Sequence, residues 1–237
     1  MNSEAANERT MDMEGRSVLI AGATGGLGST IAADLAARGA TLTLVARRPD
    51  PLADLGIDGH TVALDLRTAA ACQAAVDAAV EHGGGRLDVV VNAVGVVAFG
   101  PIDELSVDAM EELFLTNTFV PIMLARAALP AMGEGGVMVN ISGVIAEKNL
   151  PGMAAYGASK AAVRSFDEAL GREARRRKIR VIDARPPHTE TGLADRAIEG
   201  QAPSFPEGLA PGAVAARICE AIVTDGVADL PSEAFAE

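Results

Sequence analysis

Tyr156 and Lys160 lie four residues apart in Ala154-Ala155-Tyr156-Gly157-Ala158-Ser159-Lys160-Ala161-Ala162. On a helix this spacing places a phenol and an ammonium on one face. A free tyrosine has a pKa near ~10 and is a poor proton donor or acceptor at neutral pH. A cation beside it favours the phenolate and brings the group into a useful range. The spacing alone is common on surface helices, so its weight comes from a second feature. Near the N-terminus, Val18 to Ala21 runs straight into Gly22-Ala23-Thr24-Gly25-Gly26-Leu27-Gly28, and a helical pattern follows. A strand, a glycine turn and a helix N-terminus in succession let the backbone approach a pyrophosphate and point free N–H groups at it. Together the two features read as proton transfer beside a bound nucleotide.

The rest of the chain supplies elements to hold these groups. Branched apolar runs at Val18 to Ala21, Thr41 to Val45, Thr61 to Leu64, Val89 to Val91, Val137 to Ile141 and Ile179 to Ile182 read as buried parallel strands. Helical patterns alternate with them near Leu27 to Arg38, Ala69 to Glu81, Val107 to Leu129 and Tyr156 to Arg177. This alternation predicts an α/β fold: one doubly wound parallel sheet, Rossmann-like, with helices on both faces. Residues 15–237 form that single domain, with a substrate loop at about 186–208. Residues 1–14, polar and acidic, read as a disordered N-terminal extension rather than a signal peptide.

Bulk composition narrows the function classes. A formal charge of -12 excludes a phosphate backbone as partner, because nucleic acids recruit basic surfaces. The basic cluster Arg172 to Arg180 reads as the solvated end of a helix. No uninterrupted apolar stretch reaches the roughly 18 residues of a membrane span. The nearest, Leu113 to Met132, is broken by Asn117, Pro121 and Arg126 and reads as a buried amphipathic helix. Cys72 and Cys219 are too few and too far apart for a disulfide framework or a zinc site, so no metal is expected. The default location is the cytoplasm.

The glycine spacing Gly22-x-x-x-Gly26-x-Gly28, with Asn92, Asn117, Tyr156 and Lys160 following in order, strongly resembles the short-chain dehydrogenase/reductase family from about Ser17 to Leu230. The resemblance implies an NAD(P)-dependent oxidoreductase that interconverts a carbonyl and an alcohol by hydride transfer. It makes Tyr156 the acid/base, Lys160 its electrostatic partner and ribose anchor, and Asn117 the anchor of a water chain to that lysine. Gly22, Thr24, Gly26, Leu27 and Gly28 would form the cofactor turn. Asp65 and Leu66 would contact the adenine, and Asn92 and Gly95 would line the cofactor in Asn92-Ala93-Val94-Gly95. Pro186, Thr189 and Thr191 would hold the nicotinamide end, with Pro187 standing where the family usually has glycine. Members commonly pair through two long helices, which implies a homodimer or homotetramer built on Val107 to Leu129 and Tyr156 to Arg177.

The second strand ends in Val45-Ala46-Arg47-Arg48. Members that prefer NAD usually carry an acid at the position of Ala46, whereas guanidinium groups suit a phosphate, so Arg47 and Arg48 favour NADP over NAD. The main departure lies in the catalytic set. The family's serine stands thirteen residues before the tyrosine, and that position is Gly143; Ser142 is one residue earlier. A one-residue step on a strand turns a side chain to the opposite face, so Ser142 substitutes only if the backbone bulges. Loss of one oxyanion-type donor lowers the rate by roughly 10² to 10³. A cofactor-binding protein with weak or no catalysis, a sensor or partner subunit, is therefore the alternative reading. His188 and Glu190, in Pro186-Pro187-His188-Thr189-Glu190-Thr191, read as structural or substrate-lining residues rather than a second catalytic pair. The loop from Leu193 to Pro206 is short, with Phe205 its one aromatic, and implies a small or open pocket.

Overall fold

A computed structural model of the chain describes residues 10–236. Seven parallel strands form one sheet in the order β3-β2-β1-β4-β5-β6-β7. They are β1 (Ser17–Ala21), β2 (Thr41–Ala46), β3 (His60–Ala63), β4 (Leu87–Asn92), β5 (Met132–Ile141), β6 (Arg180–Ala184) and β7 (Asp229–Leu230). The helices are α1 (Gly26–Ala37), α2 (Pro49–Ala53), α3 (Ala69–His82), α4 (Val107–Phe114), α5 (Val120–Ala131), α6 (Ala154–Ala174) and α7 (Pro211–Val223).

Successive strand side chains go to opposite faces and build two cores. Val18, Ile20, Leu42 and Leu44 pack with Ile31 and Leu35 of α1 and Ile218 and Ile222 of α7. Leu19, Ala21, Val45 and Val90 pack with Ala75 and Ala79 of α3, Leu124 of α5 and Leu170 of α6. The strand order reverses between β1 and β4. In such sheets the crevice beyond the carboxyl ends of the strands at the reversal is where ligands bind.

Four details differ from the sequence expectations. The chain is anchored from residue 10: Thr10 bridges Thr224, the Met11 N–H donates to the Val223 carbonyl at 2.7 Å, and Met13 is buried. Residues 10–14 are therefore not a free extension, because alternating Met11 and Met13 supply an apolar face that a polar composition hides; residues 1–9 lie outside the described residues. The long helix expected over Val107 to Leu129 is interrupted by a π-helical turn at Leu115–Phe119, which buries Thr116, Asn117 and Thr118 in succession. Strand β5 starts five residues early at Met132, with a register irregularity against β4 between Leu87 and Val89. Short α2 and two-residue β7 have too few residues to show a period. The helical run Val107–Ala131 is long and apolar enough by length and composition to cross a membrane, and half of its most apolar window is buried inside the fold.

Candidate active site

A cavity of about 790 Å³ opens at the carboxyl ends of the strands, where β1 and β4 diverge. Its floor at one end is the glycine turn. Gly22 has φ +83, and a Cβ there would lie 2.8 Å from the Ala93 backbone. A Cβ on Gly26 would lie 2.7 Å from Thr191 Cβ, and one on Gly28 would collide with the Gly22 carbonyl at 2.2 Å. Gly28 thus closes the turn onto α1 and does not line the cavity, whereas Gly22, Thr24, Gly26 and Leu27 do. No side chain caps α1, and its first turn carries no acid. Uncapped N–H groups and the positive end of a three-turn helix therefore face a backbone cradle that a pyrophosphate fits.

One wall of the cavity is formed by residues after β2 and β3. Arg47 and Arg48 are exposed, line the cavity, and enter no ion pair among the described residues. Asp65 lines the same wall, but its carboxylate is held by Arg67 at 2.5 Å, and Arg67 reaches on to Glu112 at 3.0 Å. The Arg67 hydrogen bond and charge hold the Asp65 carboxyl below its ordinary range. Arg67 is a cavity residue that the sequence reading missed; its pairing across to α4 left no local signal. Leu66 is buried beneath it and also contributes to the wall.

Tyr156 and Lys160 enter from α6 on the same side, as their spacing requires, and both line the cavity. The electrostatics differ from expectation. Burial pushes the Tyr156 phenol up to about 12, not down. Lys160 Nζ is turned to the Ile141 carbonyl at 2.8 Å. Burial pulls this ammonium down to about 8, with Asp183 and then Asp167 acting in the opposite direction. Without a bound partner the phenol is thus a proton donor held neutral, and desolvation outweighs the neighbouring cation.

Two expected site residues, Asn117 and Asn92, stand behind the wall, and a third, Ser142, reaches the cavity without offering its hydroxyl. Asn117, on the π-helical turn, accepts from the Val96 N–H and donates to the Val96 carbonyl and Ser159 Oγ, all within 3.0 Å. Asn92 is buried, donates to Asn140 Oδ1 at 3.0 Å, and accepts from the Val94 N–H. It shapes the turn into Gly95, which does line the cavity, but does not line it itself. Ser142 is fully buried, and its hydroxyl donates to the Asp183 carboxylate on β6. Ser142 lines the cavity, but its hydroxyl is directed along the alternation of the strand to Asp183 on β6 and is not free toward the reacting groups. Backbone donors do not replace it: the N–H groups of Ser142 and Gly143 both go to the Ala184 carbonyl, and that of Val144 goes to Pro186. Gly143 itself has φ +80, and a Cβ there would meet nothing nearer than the Pro186 carbonyl at 3.9 Å.

Pro186, Pro187, Thr189 and Thr191 also line the cavity, with Thr191 against Gly26 of the glycine turn. His188 stacks on Phe205 with ring centroids 4.8 Å apart, and its Nε2 is 3.4 Å from Glu190 Oε1. The loop is tied down by Ile198 N–H to Val97 and Phe99 N–H to Glu199. With Phe99, Ile145 and Met153 it encloses an apolar chamber beside Tyr156. The cavity, cofactor cradle included, is within the usual range for small-molecule sites, about 300–1,000 Å³.

The family model for short chain dehydrogenases matches residues 16–202. An uncharacterised oxidoreductase of Methylorubrum extorquens is 32% identical over 187 residues, covering 76% of this chain and 75% of that protein. Dehydrogenase/reductase SDR family member 7B of Bos taurus is 33% identical over 196 residues, covering 76% of this chain; the chain spans 60% of its length. A short chain dehydrogenase from Burkholderia cenocepacia, solved in complex with NADP, superposes with a TM-score of 0.83 at 24% identity over 94% of this chain and 97% of that one. The chain belongs to the short-chain dehydrogenase/reductase family. It is an NAD(P)-dependent oxidoreductase by membership, and the enzymes of that family act on small molecules.

Proposed function

We propose that this protein interconverts a carbonyl and an alcohol, preferring NADP, with Tyr156 as the acid/base. The observation that carries the reading is one cavity holding an open glycine cradle at one end and the Tyr156–Lys160 pair at the other. The cradle residues fit a dinucleotide, and the bound cofactor supplies the hydride. Tyr156 then gives its phenolic proton to the carbonyl oxygen as negative charge develops there. A phenol held neutral is in the form that reduction needs. Lys160 holds positive charge beside the phenol, stabilising the phenolate left behind. The apolar chamber of Phe99, Ile145, Met153 and Phe205 favours a carbonyl carried on a hydrophobic body.

NADP is preferred because no acid stands at the position of Ala46 and Arg47 and Arg48 enter no ion pair among the described residues, the nearby Asp65 being held by Arg67. The NADP bound to the Burkholderia neighbour is consistent with this choice. Subunits pair through the α4–α5 and α6 faces, where Phe119 and Val107 are exposed; light scattering at the monomer mass sinks this. A cytoplasmic location is part of this reading, supported only in that half of the apolar window of Val107–Ala131 packs inside the fold; recovery with membranes after cell fractionation would overturn it.

The diverted Ser142 hydroxyl favours a second reading, a cofactor-binding protein with weak catalysis. Tyr156→Phe separates the two. The enzyme loses at least about 10² in kcat while its NADPH dissociation constant stays within twofold. Equal turnover by the variant and the wild type in a broad carbonyl screen refutes the catalytic assignment.

A further inference from the structure

Asp167 lies seven residues beyond Lys160 on α6, so it faces the sheet from the same side of the helix. It is 3% exposed. Its Oδ1 accepts a hydrogen bond from Asn140 Nδ2 at 2.6 Å, and Asn140 in turn accepts from Asn92. Its Oδ2 has no partner, and among the described residues no other buried side-chain nitrogen or oxygen is in that condition. A buried carboxylate with one oxygen unpaired is costly, and such a group takes a proton instead. Burial and the charge of Asp183 both push Asp167 well above the carboxylate range. Burial pushes Asp183 up as well, but the Ser142 hydroxyl and the Arg185 guanidinium favour its ionised form, and Asp167 has no such cationic partner in hydrogen-bond contact. The proton of this pair therefore sits on Asp167.

A neutral acid needs an acceptor for its O–H, and the structure provides room for one. A second cleft, of about 840 Å³, is lined by Asp167, Gly171 and Asp183 on the side away from the cofactor cavity. Gly171 is one helical turn beyond Asp167, and a Cβ added there would meet nothing nearer than Val181 at 3.9 Å. The missing side chain leaves the approach to Asp167 open, in a polar cleft roomy enough for water. Lys160 lines the first cavity, Asp167 lines the second, and each feels the other's charge. The amide of Asn117 cannot offer a further N–H to a water, since it is engaged with Val96 and Ser159.

Resting on the reductase reading above, we propose that Asp167 is a proton relay between water in the second cleft and Lys160. In reduction the Tyr156 O–H bond breaks as the product O–H bond forms. The phenolate takes a proton from the Lys160 ammonium, and the amine so formed takes the Asp167 proton through an intervening water. The Asp167 carboxylate is reprotonated from the cleft, so one solvent proton is consumed per carbonyl reduced. Oxidation runs the same chain in reverse. The charged groups around Asp167 are Lys160 and Arg164 on α6, Asp183 on β6, Arg185 just beyond that strand, and Asp229 on β7.

Infrared difference spectroscopy tests the relay without requiring turnover. Asp167→Asn keeps the oxygen that Asn140 binds, and it should abolish a neutral-carboxyl C=O band that the wild type shows at neutral pH. In Lys160→Met the titration midpoint of that band should move up by about one pH unit, a tenfold change, because an opposing charge is gone. Gly171→Leu should slow deuteration of the band about tenfold by covering the cleft. In kinetics, Asp167→Asn should lower kcat for reduction and leave the NADPH dissociation constant unchanged. A wild-type spectrum with no neutral carboxyl lost in Asp167→Asn, or a midpoint indifferent to Lys160→Met, overturns the relay. A chain that binds NADPH, turns over nothing, and still shows the Lys160-sensitive band sinks the reductase reading and supports the proton connection by itself.

Discussion

Lys160→Met replaces a buried ammonium with an apolar side chain of nearly the same reach. Lys160 is 7% exposed, and burial draws it from 10.5 to about 8. At about 1.36 kcal/mol per pKa unit, the folded state is disfavoured by about 3 kcal/mol wherever the amine must be charged. Removing the charge recovers that, less about 1 kcal/mol for the hydrogen bond lost by the Ile141 carbonyl. The net gain is about 2 kcal/mol, which for a domain of this size raises Tm by about 4–8 °C. The sign follows from a depressed folded-state pKa on a base. Below pH 8 both folded and unfolded chains carry the charge, and the variant keeps its full advantage. Between 8 and 10.5 the native amine is already neutral while the unfolded one is not, so the wild type stabilises and the advantage fades. Thermal melts at pH ~7 and pH ~10, with kcat measured beside them, read this directly. A variant that melts below the wild type at neutral pH, or differs from it equally at both pH values, refutes the reasoning.

Arg47→Ala with Arg48→Ala should weaken NADPH binding by about 10- to 100-fold, from about 1.5–3 kcal/mol per charged hydrogen bond, and leave NADH unchanged; isothermal titration with both cofactors reads the difference. Gly143→Ser places a hydroxyl in open space beside the Pro186 carbonyl but at φ +80. It should lose about 1–2 kcal/mol of stability and raise kcat by up to ~10² if the backbone turns the hydroxyl inward. A folded, cofactor-binding variant with no gain would show that this site does not use a donor at that position.

The layered sheet was legible because its strands are buried on both faces and read as unbroken branched runs. Tyr156, Lys160 and the glycine turn were legible for a different reason: each is local, and its spacing carries its geometry. What escaped is non-local. Whether the Ser142 hydroxyl is free toward the reacting groups depends on Asp183 standing opposite on β6, and no spacing within Asn140-Ile141-Ser142-Gly143 encodes that partner. Arg67 escaped because its contacts lie two residues back and across on α4. The rise of the Tyr156 phenol escaped because a spacing reports which charges are near and not how much water has been removed. Met11 and Met13 escaped because two apolar residues in a polar run form no period until α7 is seen above them.

The π-helical turn at Leu115–Phe119 amounts to one surplus residue wound into an otherwise regular rod. It breaks the angular phase between α4 and α5, so the stripe that α4 presents to Ala155 and Tyr156 of α6 and the stripe that α5 presents to the sheet need not align. Deleting a single residue there would restore a continuous rod and rotate everything upstream by about 100° relative to α5. Asn117, Thr116 and Thr118 would then compete for one inward direction, and the brace on Val96 and Ser159 would come apart though no residue of the cofactor cradle had changed.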